Sequence, residues 1–331
     1  MTTTAVEPTE LAPPSLARRL LSGSTLGPLA ALIVACIIFS FLSDQFLSGG
    51  NFSLIIQQVM VVGTLAIGQT LIILTAGIDL SNGAIMAFTS IVMARLAVSN
   101  HVPWVLAILI GLAVAAGFGL LNGALVTRIP LPPFIVTLGM LNIAFALTHI
   151  YSKDQTVTGV PSALTALGNT FTIGGTRVTY GSILMLLLFA LFAYLLGQTA
   201  WGKHVYAVGN NPEAARLTGI PTRQLLLAVY VIAGLVYGIA ALLSIARTGV
   251  GDPNAGQTDN LDSITAVVLG GTSLFGGRGS VLGTLIGALI VGVIRNGQTL
   301  IGVQSTYQVL ITGILVILAV TVDQISRRRT R

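Results

Sequence analysis

The sequence has very little charge. Only 8% of its 331 residues are Asp, Glu, Lys or Arg, whereas 54% are hydrophobic, and the mean hydropathy is +0.91. Because so few charged side chains cannot cover the surface of a water-soluble domain of this length, a soluble fold is excluded. The composition therefore predicts an integral membrane protein.

Cysteine and histidine are also scarce. Cys36 is the only cysteine, so the chain cannot form an intrachain disulfide or a thiolate metal cluster. His101, His149 and His204 are scattered and lack the spacing of metal ligands. No Ser-His-Asp set or pair of carboxylates suggests a catalytic site. The sequence predicts no metal site, no cofactor and no catalytic residue.

The positive charge is concentrated at the two ends of the chain. Sixteen Lys and Arg stand against ten Asp and Glu, with Arg18 and Arg19 near the start and four arginines in 327–331. Basic clusters beside apolar segments are typical of cytoplasmic flanks, which contact membrane lipid rather than nucleic acid. Residues 1–27 are predicted to be a disordered cytoplasmic tail without a signal peptide, and 324–331 a basic cytoplasmic tail.

The apolar segments between the tails are long enough to cross a bilayer, whose core needs about 20 residues per helix. This window divides residues 28–323 into ten candidate spans, of which the eighth, 264–269, is too short to cross alone. The others are 29–42, 54–75, 84–97, 105–126, 134–150, 183–196, 225–246, 282–294 and 309–320. We predict an all-α polytopic membrane protein with about ten transmembrane helices, some short or interrupted. It would lie in the inner (plasma) membrane with both termini cytoplasmic.

A polar segment, 199–222, separates the sixth and seventh spans and is predicted to be cytoplasmic. Its residues suit a helix of about two turns, with Asn211 as N-cap, Pro212 in the first position, Glu213 in the first turn and Gly219 at the end. Such a helix would present a short, lightly polar surface suited to a groove on another protein, formed by Ala214, Ala215 and Leu217. The other interpretation is a plain connector.

Residues 197–204, which overlap the start of this segment, match all but the last position of the phosphate-binding loop Gly-x-x-x-x-Gly-Lys-Ser/Thr. The last position is His204, which has no hydroxyl for magnesium, and the motif follows a membrane helix rather than a strand. The chain thus has no nucleotide site of its own, and any ATP chemistry would belong to a partner.

Asp79 is the acid most deeply set among apolar residues. A carboxylate in such a place is costly unless it faces water or a partner, but Ser81 and Asn82 also suit a local helix cap, and both interpretations stay open. The octets 76–83 and 270–277 share the pattern small-Gly-x-x-Leu-x-x-Gly, and transporters often contain repeated, interrupted helices near the substrate path. We assign a translocation path or gate to Asp79, Ser81, Asn82, Asn122, Thr272 and Ser273.

Two further groups of residues are interpreted structurally. Most of the 38 glycines, such as Gly117 and Gly119, are expected to allow close helix packing. Asp252, Asp259 and Asp262 follow the seventh span and could meet a basic patch on an external partner, but we interpret them as solvated loop acids.

Four stretches carry a resemblance to a known family. They are Thr75-Ala-Gly-Ile-Asp-Leu-Ser-Asn-Gly83, Pro132-Pro-Phe-Ile-Val-Thr-Leu-Gly139, Ala207-Val-Gly-Asn-Asn-Pro-Glu-Ala-Ala-Arg-Leu-Thr-Gly-Ile220 and Val268-Leu-Gly-Gly-Thr-Ser-Leu-Phe-Gly-Gly-Arg-Gly279. In this order they resemble the ribose, xylose and galactose type of ABC permease, over about residues 50–320. Asn82 departs from the pattern, because many relatives carry an apolar residue there.

The resemblance implies a permease subunit that forms the path for a monosaccharide and is not itself an enzyme. Implied partners are a second permease, as homodimer or close heterodimer, an ABC ATPase subunit and an extracytoplasmic sugar-binding protein. The ATPase would bind the short helix predicted within 199–222, which is called the coupling helix in this family. The residues in contact with the ATPase would be Asn211, Pro212, Glu213, Ala214, Ala215, Arg216, Leu217 and Gly219. The alternatives are an ABC permease for a nucleoside or branched-chain amino acid, or an ion-coupled secondary transporter or channel, for which Asp79 is the one plausible intramembrane acid.

Overall fold

The computed structural model describes residues 23–330, so residues 1–22 of the predicted tail and Arg331 lie outside the described part. The helices are α1 (Gly23–Leu42), α2 (Gly49–Leu74), α3 (Asn82–Val98), α4 (Trp104–Arg128), α5 (Pro133–Ser152), α6 (Ser162–Thr165), α7 (Tyr180–Gln198), α8 (Ala200–Asn210), α9 (Pro212–Leu217), α10 (Thr222–Thr248), α11 (Asp259–Leu269), α12 (Val281–Leu300) and α13 (Ser305–Thr330). A short antiparallel hairpin, β1 (Thr170–Ile173) and β2 (Thr176–Thr179), lies between α6 and α7.

The helix lengths confirm a polytopic helical membrane protein. Six helices, α2, α4, α5, α7, α10 and α12, are long and apolar enough to cross a membrane, and shorter apolar helices cover Leu26–Leu42, Asn82–Val98 and Ser305–Leu318. Each of these nine overlaps a predicted span. The eighth predicted span lies within α11, which has 11 residues and is about half the length that a bilayer requires.

Helix α2 forms the centre of the bundle. Of its most apolar window 83% is buried, against 28% for α4 and for α5, and residues 59–74 are buried without a break. It packs against α7, α10, α11 and α12. The outer helices instead expose apolar side chains, such as Phe41 and Leu187, as expected for lipid-facing positions.

Glycines allow α4 and α10 to cross at close range. A Cβ atom on Gly119 of α4 would lie 2.2 Å from the carbonyl oxygen of Tyr230, and one on Gly234 of α10 would lie 2.4 Å from that of Ala115. Neither distance is compatible with a side chain. The predicted role of glycine in close packing is confirmed at these positions, whereas Gly117 has no atom within 4 Å of its Cβ position.

Two breaks in helical structure meet inside the bundle. The first interruption, residues 75–81, separates α2 from α3, and the second interruption, residues 270–280, separates α11 from α12. The amide of Gly277 donates a 2.9 Å hydrogen bond to the carbonyl of Leu74, the last residue of α2. The two similar octets of the sequence thus correspond to the two interruptions, which are in direct contact.

Candidate functional site

Helix α9 has the N-terminal cap that the sequence predicts. The Asn211 side-chain oxygen accepts hydrogen bonds from the amides of Glu213 and Ala214, at 3.1 and 3.0 Å. Pro212 occupies the first helical position, where its missing N–H costs nothing. These contacts fix where the helix begins.

The C-terminal end of α9 depends on Gly219. Its φ of +88° lies in the left-handed region, which glycine adopts without steric cost. The amide of Gly219 donates to Arg216 at 3.0 Å and that of Ile220 donates to Ala215 at 3.1 Å, which is the Schellman pattern of helix termination. A helix of only six residues is therefore fixed at both ends.

The exposed face of α9 combines a charge pair with an apolar side chain. Arg216 and Glu213 form an ion pair of 2.6 Å, and this contact lowers the pKa of the Glu213 carboxyl. Leu217 is 75% exposed, whereas Ala215 is buried against the protein. The exposed face of α9 thus carries one apolar side chain beside one ion pair.

Helix α8 connects α9 to both interruptions. Gly209, one residue before the end of α8, is packed so closely that a Cβ atom would lie 1.7 Å from the Leu74 oxygen and 2.7 Å from the Gly277 nitrogen. The Tyr206 hydroxyl donates to the carbonyl of Gly279 at 3.0 Å. Helix α8 thus packs against the end of α2, directly before the first interruption, and against the second interruption.

Asp79 lies at the centre of a buried hydrogen-bonded group in the first interruption. It is 1% exposed, and its Oδ1 accepts from the Ser81 amide at 2.7 Å and the Ser81 hydroxyl at 2.5 Å. The Asn122 amide donates to the same hydroxyl at 3.1 Å, and the Tyr237 hydroxyl lies near the carboxylate. Three predicted site residues, Asp79, Ser81 and Asn122, are thus brought together.

A second group of polar contacts joins the first interruption to α11. The Asn82 amide donates to the Ser263 hydroxyl at 2.7 Å and to the Gln69 side chain at 3.3 Å. The Asn260 amide donates to the carbonyl of Leu80 at 3.2 Å. Sequence analysis missed Gln69, Asn260 and Ser263, although a glutamine inside the second span is a polar residue in an apolar context and was available as a signal.

Thr272 and Ser273 lie in the second interruption and are buried, at 1% and 5% exposed. Their backbone amides are bonded locally, to Val267 and Arg278. The contact between Gly277 and Leu74 connects their segment to the last residue of α2, directly before the first interruption.

Comparison with known proteins shows the family to which this chain belongs. Residues 51–320 match the family described as "Branched-chain amino acid transport system / permease component". The chain belongs to this permease family. It is 46% identical to the fructose import permease protein of Rhizobium meliloti, over 91% of this chain and 85% of that protein. It is 40% identical to the ribose import permease protein of Bacillus subtilis, over 90% and 92%, and 35% identical to the D-allose transport system permease protein of Escherichia coli, over 89% of each.

The interpretation of Asp259 and Asp262 as solvated loop acids is wrong for this permease. Helix α11 begins at Asp259, five residues before the predicted apolar segment, and both carboxylates are buried, at 8% and 3% exposed. Arg295 on α12 lies 2.8 Å from Asp262 and 3.7 Å from Asp259. The pairing partner is 33 residues away from Asp262, which is why local sequence patterns did not indicate it.

Proposed function

We propose that this chain is the membrane subunit of an ATP-driven importer and forms the translocation path for a monosaccharide. The observation that carries the proposal is the continuous connection from α9 through Gly209 to both interruptions. The exposed end of α9 supplies a surface for a partner, and the buried end of α8 reaches the part of the bundle where helices are broken. Membership of the permease family supports the same role.

We infer the partners from the absence of a recognisable nucleotide-binding motif in the sequence and from relatives that are named as sugar import permeases. ATP binding and hydrolysis belong to an ABC ATPase subunit, which receives α9 in a surface groove. An extracytoplasmic sugar-binding protein delivers the substrate, and a second permease, identical or closely related, completes the path. ATP-driven closure of the ATPase moves α9 as a rigid lever, and the bundle exchanges inward-open and outward-open states.

We place α8, α9 and both chain ends in the cytoplasm. The terminal arginines favour this orientation, and ten crossings, with α11 counted as the eighth, return the chain to its starting side. In this arrangement the loop 249–258 and the β1–β2 hairpin lie on the extracytoplasmic side.

A monosaccharide is a better candidate than a branched-chain amino acid or a nucleoside. The family description mentions branched-chain amino acids, but relatives that match about nine-tenths of the chain are named for fructose, ribose and D-allose. The test is reconstitution in liposomes with the ATPase and the binding protein, followed by uptake of radiolabelled sugars, with ligand screening of the binding protein by thermal shift. ATP-dependent sugar uptake is expected. Uptake driven by an ion gradient without ATP would instead indicate a secondary transporter.

Gly219→Trp is expected to uncouple ATP hydrolysis from uptake while the protein still reaches the membrane. The indole would enlarge the surface of α9 and force a residue with a side chain into a φ of +88°. We expect ATPase activity to persist while uptake falls roughly tenfold or more, as for a loss of 1–3 kcal/mol of coupling free energy. Glu213→Lys, which reverses the charge facing Arg216, should act in the same direction.

Gly174→Trp is the matched control for this experiment. Gly174 also has a positive φ, +55°, and like Gly219 has no atom within 4 Å of its Cβ position, but it lies in the β1–β2 turn. Its uptake should stay close to that of the unmodified protein. Normal transport by Gly219→Trp would exclude docking through α9.

We further propose that Asp79, Ser81, Asn82, Asn122, Thr272 and Ser273 form a gate that is closed in this conformation. All six are at most 5% exposed, so they do not line an open channel here. Their hydrogen bonds join segments on α3, α4 and α11, and a change of these bonds accompanies opening.

Asp79→Asn is expected to change transport without preventing assembly. Asparagine keeps the side-chain oxygen that accepts from the Ser81 amide but removes the negative charge, whereas Asp79→Leu removes both. We expect normal membrane levels and altered uptake for Asp79→Asn, and reduced levels for Asp79→Leu because the Ser81 donors lose their partner. Membrane abundance by immunoblot and uptake rate are the measurements. Unchanged uptake in Asp79→Asn would favour the helix-cap interpretation.

A further inference from the structure

A cavity lies at the end of the bundle opposite α9. It encloses about 430 Å³ between α2, α10, α11, α12 and α13, beneath the loop 249–258. We call it the vestibule. Its volume lies within the range of roughly 300–1,000 Å³ that is typical of small-molecule sites.

The vestibule has one apolar wall and one polar wall. Val59 and Val62 on α2 and Val291 on α12 contribute the apolar side, and Asp259, Asp262 and Arg295 contribute charge. The ion pairs of Arg295 with both carboxylates hold the polar wall in place. Asp252 and Arg247 also line the cavity, so its three acids and two arginines nearly balance.

Hydrogen-bonding groups in the vestibule lack protein partners. The side-chain oxygen of Gln58 is buried and has no hydrogen-bond partner among the residues that the structure describes, which is an unfavourable state. Arg247 also lines the cavity, and among the described residues no carboxylate lies within 4 Å of its guanidinium. Gln58 and Arg247 are therefore two polar residues of the cavity wall whose hydrogen-bonding capacity is not met by such partners.

The floor of the vestibule continues into the proposed gate. Asp259 and Asp262 flank Asn260 in the chain, and Ser263 follows directly. Asn260 bonds the carbonyl of Leu80, and Ser263 bonds Asn82. A molecule held against Asp262 would lie next to the residues that close the path.

We propose that the vestibule is a binding site for the monosaccharide, occupied after delivery at the extracytoplasmic side and before the gate opens. This inference rests on the proposed function and adds to it a binding site within the permease. Sugar hydroxyls donate to carboxylate and amide oxygens and accept from guanidinium and amide groups, and the C–H face of a sugar ring suits the valine wall. A metal cation is a poorer match, since the described residues contain no group of three His, Cys, Asp or Glu that could hold one.

The occupancy of the vestibule is measurable by cysteine protection. The full-length chain carries Cys36→Ala, which removes its only thiol, together with Gln257→Cys, an exposed position lining the cavity. Membrane vesicles are treated with a maleimide in the presence of D-ribose, D-fructose, D-allose or, as a non-sugar, sodium chloride. We expect at least one sugar to slow labelling about fivefold or more, which corresponds to occupancy of about 80% or more of the sites. Asn100→Cys, exposed in the α3–α4 loop, should label at a constant rate.

Gln58→Leu tests whether the Gln58 side chain contributes to sugar binding in the vestibule. The substitution removes the unpaired acceptor, and we expect the sugar concentration for half-maximal protection to rise about tenfold, as for a lost hydrogen bond to a buried group. Gln57→Leu is the matched control, since Gln57 bonds Ser53 on the same helix and does not line the vestibule. Its protection should equal that of the parent.

Parallel uptake measurements separate this inference from the proposed function. ATP-dependent sugar uptake without protection of Gln257→Cys, or with equal protection in Gln58→Leu and its parent, would overturn the vestibule site and leave the importer intact. Protection by sodium chloride alone would also overturn it. Absence of both uptake and protection, with the partner subunits present, would contradict the importer itself.

Discussion

Gly209→Ala is expected to abolish most sugar uptake while ATP hydrolysis by the assembled complex continues. The added methyl group would lie 1.7 Å from the Leu74 oxygen, so α8 must move away from both interruptions. The predicted loss is roughly tenfold or more in uptake per ATP hydrolysed, within the range of about 5–150-fold that corresponds to 1–3 kcal/mol of coupling. Uptake and phosphate release are measured on the same proteoliposomes.

Gly139→Ala serves as the control for this variant. Gly139 lies within α5 and has no atom within 4 Å of its Cβ position, so the same substitution should leave the ratio of uptake to hydrolysis unchanged. If Gly209→Ala keeps the parental ratio, α8 does not transmit movement from α9. A fall in hydrolysis and uptake together would indicate failed assembly rather than uncoupling, and fluorescence-detected size exclusion distinguishes this case.

Gly119→Val is expected to destabilise the bundle itself. The Cβ atom of the new side chain would lie 2.2 Å from the backbone oxygen of Tyr230, close to the backbone of Val231 as well. Because helix backbone cannot rearrange as a side chain can, α4 and α10 must separate. Overpacking of this kind costs about 1–3 kcal/mol or more, and we expect the midpoint of thermal denaturation in detergent to fall by roughly 5 °C or more.

Gly117→Val on the same helix provides the comparison. Gly117 lies two residues earlier and has open space at its Cβ position, so its midpoint should stay within about 2 °C of the parent, as for a substitution away from packed contacts. Equal midpoints for the two variants would contradict the close crossing of α4 and α10.

The elements that depend on local sequence were predictable. The caps of α9 are an example, because Asn211, Pro212 and Gly219 act on amides within a few residues of themselves. The long spans were predictable for a similar reason, since about 20 apolar residues suffice to indicate a crossing. The family resemblance was carried by continuous stretches, and comparison with known proteins confirms it.

The elements that depend on distant pairing were not predictable. The sequence around Asp259 gives no sign of its ion pair with Arg295, which lies on another helix. The sequence around Gln69 likewise gives no sign of its hydrogen bond with Asn82. The octets 76–83 and 270–277 could be recognised as similar, but their contact through Leu74 and Gly277 required the fold. Sequence analysis therefore names the six residues of the proposed gate but not the hydrogen bonds that they make.

The bond between Asn82 and Ser263 has a consequence for the biogenesis of the protein. The two residues are 181 positions apart, so at about 5–20 residues per second the ribosome needs roughly 10–40 s to synthesise the partner of Asn82. Thr70 and Thr284, 214 positions apart, are in the same situation. Until then Asn82 has its contact with Gln69, and Thr70 its bond to the Ala66 carbonyl. Synthesis of α11 and α12 therefore completes the hydrogen bonds of the first helices.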